Sequence, residues 1–180
     1  QDLGLVKFRE PFKKLLCQGM VLKDGSKMSK SKGNVVNPQD LIEEFGSDAV
    51  RMFSMFAAPP NQSLEWSNEG LKGSFKFLNK LWNLTQIIKT QKIKNSDENE
   101  IDEKLEVKLN QTIKKVSDDF ERRQSFNTAI SSIMELINFI PSIFLEEITT
   151  SQRSKTLRNI VNKTLLMLYP ISPHICHELW

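Results

Sequence analysis

Apolar residues recur at helical spacing over most of the chain. Leu71, Phe75, Leu78, Trp82 and Thr85 step by four and three residues, and Leu81, Leu84 and Ile88 widen the face. That pattern predicts one long amphipathic helix. A polar connector, Lys94 to Asp102, separates it from a helix carrying Leu105, Leu109, Ile113, Val116 and Phe120. A third helix carries Phe126, Ala129, Ile130, Ile133, Met134, Ile137 and Ile140 and stops at Pro141. A fourth carries Leu157, Ile160, Val161, Leu165 and Leu168 and stops at Pro170; Ser172-Pro173 then opens a fifth. Helices with one apolar stripe and modest connections predict an antiparallel bundle.

The first sixty residues read differently. Short apolar runs are broken by Pro11, Gly19, Asp24-Gly25 and Gly33. Gln18 to Leu22 predicts a brief strand, Asp24-Gly25 a tight turn, and Ser26 to Asn34 a loop. Asn37-Pro38 supplies an N-cap and a first-turn proline for a helix striped by Leu41, Ile42 and Phe45 and ended by Gly46. Ser47 is expected to cap the next helix, whose Val50, Met52, Phe53 and Phe56 run to Pro59-Pro60. The expected fold is therefore mainly α: a small α/β junction over residues 1–66, then a helix bundle over 67–180.

Composition changes this picture little, but charge placement does. The 180 residues hold 25 Lys/Arg and 22 Asp/Glu, a net +3 that singles out no partner. Two cysteines exclude a disulfide scaffold and fit a reducing compartment. No apolar run is long enough for a membrane span. The chain begins without Met and ends at Trp180 inside an apolar pattern, so it is expected to be a piece of a longer protein. Residues 71–94 carry Lys72, Lys76, Lys80, Lys89, Lys92 and Lys94 with no carboxylate. Such a surface suits phosphates, with a solvated helix face as the plainer alternative. Arg122, Arg123, Arg153, Lys155 and Arg158 are weaker candidates of the same kind.

The chemistry concentrates in Lys27-Met28-Ser29-Lys30-Ser31-Lys32-Gly33. Ammonium groups neutralise charge, hydroxyls and free backbone N–H groups donate, and glycine permits close approach, so the loop is equipped to hold phosphate oxygens. It is not a Walker A loop, because the glycine spacing is wrong. His174, Cys176 and His177 lie within four helical residues and cannot all face one metal ion. Trp82 is expected in the core, Trp66 across the junction, and Asn127 in a structural hydrogen bond.

The loop at Lys27 to Ser31, continued by Gly33, Asn34, Pro38, Gly46, Asp48 and Arg51, resembles the second signature of class I aminoacyl-tRNA synthetases. Phe56 to Trp66, Phe77 to Leu84, Ser125 to Asn138 and Leu168 to Trp180 look like the leucyl branch of that family; a valyl- or isoleucyl-type member, or a stand-alone helical RNA-binding module, is the alternative. The resemblance implies ATP-dependent activation of leucine and its transfer to tRNA(Leu) by a cytoplasmic enzyme working as a monomer. In that frame Lys30 is the principal catalytic residue, assisted by Lys27 and Ser29, with Met28 near the adenine and Ser31 shaping the loop. These five residues are the expected ATP-binding set, with Mg2+ accompanying the nucleotide and no metal site in these residues. Lys72, Lys76, Lys80, Arg122 and Arg123 are the expected tRNA contacts. The family's His-x-Gly-His signature is absent, the only histidines being His174 and His177. The leucine pocket is expected elsewhere, and so these 180 residues alone are expected to be inactive.

Overall fold

In the computed structural model, residues 2–10, 12–90, 100–140 and 154–180 are described. The connector at 95–99, Lys92, Lys94, Pro141 and Arg153 lie outside them.

Asp24 and Gly25 both take positive φ, 53° and 68°. That is the backbone of a two-residue turn whose twist matches its flanking strands, and Asp and Gly are among the residues that accept it. It joins β1 (Val21–Lys23) to β2 (Ser26–Lys27) in an antiparallel hairpin, with Leu22 opposite Lys27. The predicted strand therefore starts later than Gln18. The chain then runs through α1 (Pro38–Phe45) and α2 (Ser47–Phe56) before β3 (Leu64–Glu65) returns parallel to β1, placing Leu22 beside Glu65. The sheet order is β2-β1-β3. At Gly19, just before β1, the chain passes so close to the returning segment that an added Cβ would lie 1.9 Å from the Gln62 carbonyl oxygen, so only glycine fits.

Asn37 caps α1 as expected, its Oδ1 accepting the Gln39 N–H at 3.2 Å. Ser47 does not cap α2. Gly46, at φ 80°, holds the cap position, and Ser47 is already helical. Ser47 Oγ instead meets His174 Nδ1 at 3.3 Å. Ile42 is also left exposed on α1, while Leu41 and Phe45 pack against the core.

The bundle consists of α3 (Asn68–Thr90), α4 (Glu100–Asp118), α5 (Phe126–Phe139), α6 (Ser154–Leu168) and the short α7 (Pro173–Leu179). A π-helical turn, Asp119–Arg123, ends α4 and reverses the chain. Contacts pair Asp119 with Thr128 and Lys108 with Glu135, so α4 and α5 run antiparallel. One buried cluster runs from Met52 and Phe53 of α2 through Leu81, Leu105, Ile133 and Ile160 to Leu179. The architecture is mainly α with a small three-stranded sheet among the described residues.

The buried face of α3 is centred on Ser74, Leu81 and Ile88. Six of the eight residues of the predicted face, Leu71, Leu78, Leu81, Leu84, Thr85 and Ile88, are buried there, and Phe75 and Trp82 are not. Trp82 is consequently 37 % exposed, and Phe75 sits at the same rim. The packing of α2 and α6 against α3 leaves the Phe75–Trp82 edge at the rim. Trp66 does pack across the junction, edge-on to Phe53 with ring centroids 5.0 Å apart.

Candidate functional site

The lysine loop grows directly from the hairpin. Lys27 ends β2, and the Met28 N–H donates to the Val21 carbonyl at 3.1 Å, extending the pairing by one residue. Lys30 to Lys32 form a 3-10 turn closed by Lys32 N–H to Ser29 O and Gly33 N–H to Lys30 O, both at 3.2 Å. Gly33 stands at φ 66°, ψ 13°, the left-handed conformation that ends such a turn. Ser29 Oγ and Ser31 Oγ share a 3.2 Å hydrogen bond. Lys27, Lys30, Ser31 and Lys32 are exposed, and Met28 and Ser29 are half-buried. No ion pair engages Lys27 or Lys30 among the described residues. Their charge is available to an anion.

Two side chains fix this loop from outside it. Asn34 Oδ1 accepts the Ser29 N–H at 2.9 Å, and its Nδ2 donates to the Lys27 carbonyl at 3.3 Å. Glu65 of β3 accepts the Gly25 N–H at 3.1 Å, anchoring the hairpin turn. The sequence reading gave neither residue a role. Asn34 stands out in the sequence only as a position that continues the signature, and nothing local points to Glu65.

The candidate nucleic-acid residues separate into two kinds. Lys72 and Lys76 are exposed on one edge of α3, with no ion-pair partner among the described residues. Lys80 is half-buried and donates to Asn138 Oδ1 at 2.6 Å, tying α3 to α5. Arg122 grips Asp118 with two bonds, Nε to Oδ1 at 2.6 Å and a second at 2.8 Å. That bond holds the Asp118 carboxyl below its ordinary range and raises the Arg122 guanidinium. Arg123 Nη1 lies 3.0 Å from Asp119, a fully buried carboxylate that also accepts the Thr128 hydroxyl and sits 3.5 Å from Lys115. Both arginines are thus spent on the π-helical turn.

His174, Cys176 and His177 form no ligand set, and no group of three His, Cys, Asp or Glu suited to a metal ion occurs among the described residues. His174 Nδ1 instead lies 2.9 Å from Asp48 Oδ1. Cys176 is buried, and burial, with the Asp48 charge second, pushes its thiol up to about 12. Asn127 Oδ1 is buried with no hydrogen-bond partner among the described residues. No helix among the described residues is long and apolar enough to cross a membrane.

A hairpin-borne lysine loop, a parallel strand return and an attached helix bundle define a recognisable pair of modules. The family model for class I tRNA synthetases (I, L, M and V) matches residues 4–67, and that for the anticodon-binding domain of tRNA ligases matches residues 102–180. The chain belongs to the class I aminoacyl-tRNA synthetases. Within that class it is similar along its whole length to leucine–tRNA ligases. It is 51 % identical over 190 residues to that of Saccharophagus degradans and 49 % identical over 184 residues to that of Alcanivorax borkumensis, covering 100 % of this chain in each case. It spans 22 % of the length of those relatives. Among solved structures, the LeuRS of Agrobacterium radiobacter K84, in a ternary complex with tRNA and LeuAMS, matches with a TM-score of 0.79 and 34 % identity over 99 % of this chain and 23 % of that one. Mycobacterium tuberculosis methionyl-tRNA synthetase, at 20 % identity, shares the fold, with a TM-score of 0.74 over 90 % of this chain and 36 % of that one.

Proposed function

We propose that this chain is the lysine-loop and tRNA-contacting portion of a leucine–tRNA ligase. Similarity to leucine–tRNA ligases over the whole chain, with the lysine loop free of ion pairs, is the observation that carries the reading. In the reaction, leucine's carboxylate attacks the α-phosphorus of ATP, pyrophosphate leaves, and the leucyl-adenylate then esterifies tRNA(Leu). Negative charge grows on the departing phosphates. Lys30, with Lys27, meets that charge, and a group that binds the developing charge more strongly than the ground state lowers the barrier. Ser29 and Ser31 offer hydroxyls to the same oxygens, and Met28 supplies an apolar contact for the adenine. Mg2+ accompanies the nucleotide and needs no protein ligand from these residues. The setting is the cytoplasm.

Residues 67–180 serve as the tRNA-holding domain and 1–66 as its junction with the catalytic region. Lys72 and Lys76 bind backbone phosphates and so position the tRNA without reading its sequence. Lys80 lies beside them but is tied to Asn138, and Arg122 and Arg123, held by Asp118 and Asp119, contribute little to the binding.

The test is leucine-dependent ATP–pyrophosphate exchange by the complete ligase containing these residues, with valine and isoleucine in parallel. Exchange with leucine is expected. Exchange with valine or isoleucine and not leucine moves the chain to that branch. The isolated 180 residues are expected to form no adenylate, and adenylate from them alone would refute their role as part of a larger site.

A further inference from the structure

We propose that Asn34 is a positioning residue, setting the conformation in which Lys27 and Lys30 meet the nucleotide. The inference rests on the loop function proposed above. Asn34 lies just after the turn, and left-handed Gly33 folds the chain back so that its amide returns to the loop's start. There it closes two hydrogen bonds that straddle Met28, accepting from Ser29 N–H at 2.9 Å and donating to the Lys27 carbonyl at 3.3 Å. One bond fixes the backbone that carries Lys27. The other fixes Ser29, the cap residue from which the Lys30 turn starts.

The cap has no substitute for this contact. Ser29 makes no side-chain capping bond, because its hydroxyl faces Ser31. Its N–H has no other acceptor among the described residues. An amide of this length is what the geometry asks for: one carbonyl and one NH2 on a single-methylene stem. Aspartate keeps the acceptor and loses the donor, and glutamine overshoots by a methylene. Asn34 itself touches no anion-facing atom of the loop.

In the complete ligase, Asn34→Ala is expected to slow single-turnover adenylate formation at least about ten-fold, the loss anticipated for two hydrogen bonds. ATP affinity should stay within about three-fold, because charge that develops late is felt in the rate and hardly in ground-state binding. Asn34→Gln should reproduce the loss, and thermal unfolding midpoints near the parent's confirm that both variants are folded. In a background carrying both Lys27→Ala and Lys30→Ala, Asn34→Ala should cost less than about two-fold, since both groups it positions are gone. A parent-like rate for both Asn34 variants would overturn the proposal. So would an undiminished further loss in the background lacking both lysines, which would mean that Asn34 acts through something else. A Lys30→Ala enzyme that forms adenylate at the parent rate would instead overturn the loop function on which the inference rests.

Discussion

Asp48, near the start of α2, caps a helix in another part of the chain: its Oδ2 accepts the Ile175 N–H of α7 at 2.7 Å. Its other oxygen lies 2.9 Å from His174 Nδ1, its own carbonyl accepts the Ser172 hydroxyl at 3.3 Å, and the residue is only 7 % exposed. One turn further on, Arg51 Nε donates to the Ile171 carbonyl at 3.0 Å. Two charged side chains of the junction thereby fix the last corner of the bundle. A carboxylate at a helix N-terminus satisfies orphan N–H groups and favours the dipole. Asp48→Ala is therefore expected to destabilise the chain by about 2 kcal/mol, and Arg51→Ala by about 1 kcal/mol. Chemical denaturation read by circular dichroism checks both, and a loss below about 0.5 kcal/mol for Asp48→Ala would deny the cap its weight.

Lys30→Ala in the complete ligase should depress adenylate formation about a hundred-fold or more while leaving ATP binding within a few-fold. Rapid-quench kinetics alongside equilibrium ATP titration separate the two. Equal losses in rate and affinity would show ground-state binding instead.

Charge reversal of Lys72 and Lys76 should weaken tRNA binding and spare ATP–pyrophosphate exchange. Neutralising both, as Lys72→Ala with Lys76→Ala, should flatten the log-affinity against log-salt slope by about two. Lys80→Ala should act differently. Its ammonium is held by Asn138, so its loss should lower stability as well as affinity. Filter binding across a salt series gives both readouts.

Arg122→Ala should leave tRNA affinity nearly unchanged, because its guanidinium already faces Asp118. Arg123→Ala should destabilise the fold by about 2 kcal/mol, because it leaves the fully buried Asp119 with one cation fewer. Melting curves of the two variants order them, and equal midpoints would contradict the burial argument.

Cys176 and Cys17 should differ in reactivity. Burial raises the Cys176 thiol from its ordinary 9.0 to about 12, so it stays protonated at neutral pH, whereas Cys17 is exposed. Iodoacetamide at pH 8 should label one of the two in the native protein and both in denaturant, as counted by mass spectrometry. The unfolded thiol ionises near 9 and the folded one does not. The Cys176 contribution to stability is thus complete below pH 9 and declines as pH rises from 9 towards 12. A Cys176→Ala variant should lack that part of the alkaline decline.

The helices were legible because their apolar spacing is long and regular, and the tight turn because Asp24-Gly25 can adopt its backbone. The loop was legible because its chemistry is contiguous. What escaped was placed by distant partners. Asp48 reads as a helix-start residue, yet its carboxylate is used some 127 positions away. Glu65 reaches the hairpin only because β3 returns parallel to β1. The exposure of Phe75 and Trp82 on one edge of α3 was decided by which neighbours covered the helix, a choice its apolar pattern alone does not contain.

The parallel pairing of β1 with β3 also sets an order of events during synthesis. The β1–β2 hairpin needs only neighbouring residues and can close in microseconds. Its anchor, Glu65, is separated from Gly25 by 40 positions. Closing that span costs chain entropy which α1 and α2 must first shorten by folding. The lysine loop therefore emerges early yet acquires its final seat late, once the helices behind it have formed and the third strand has come home.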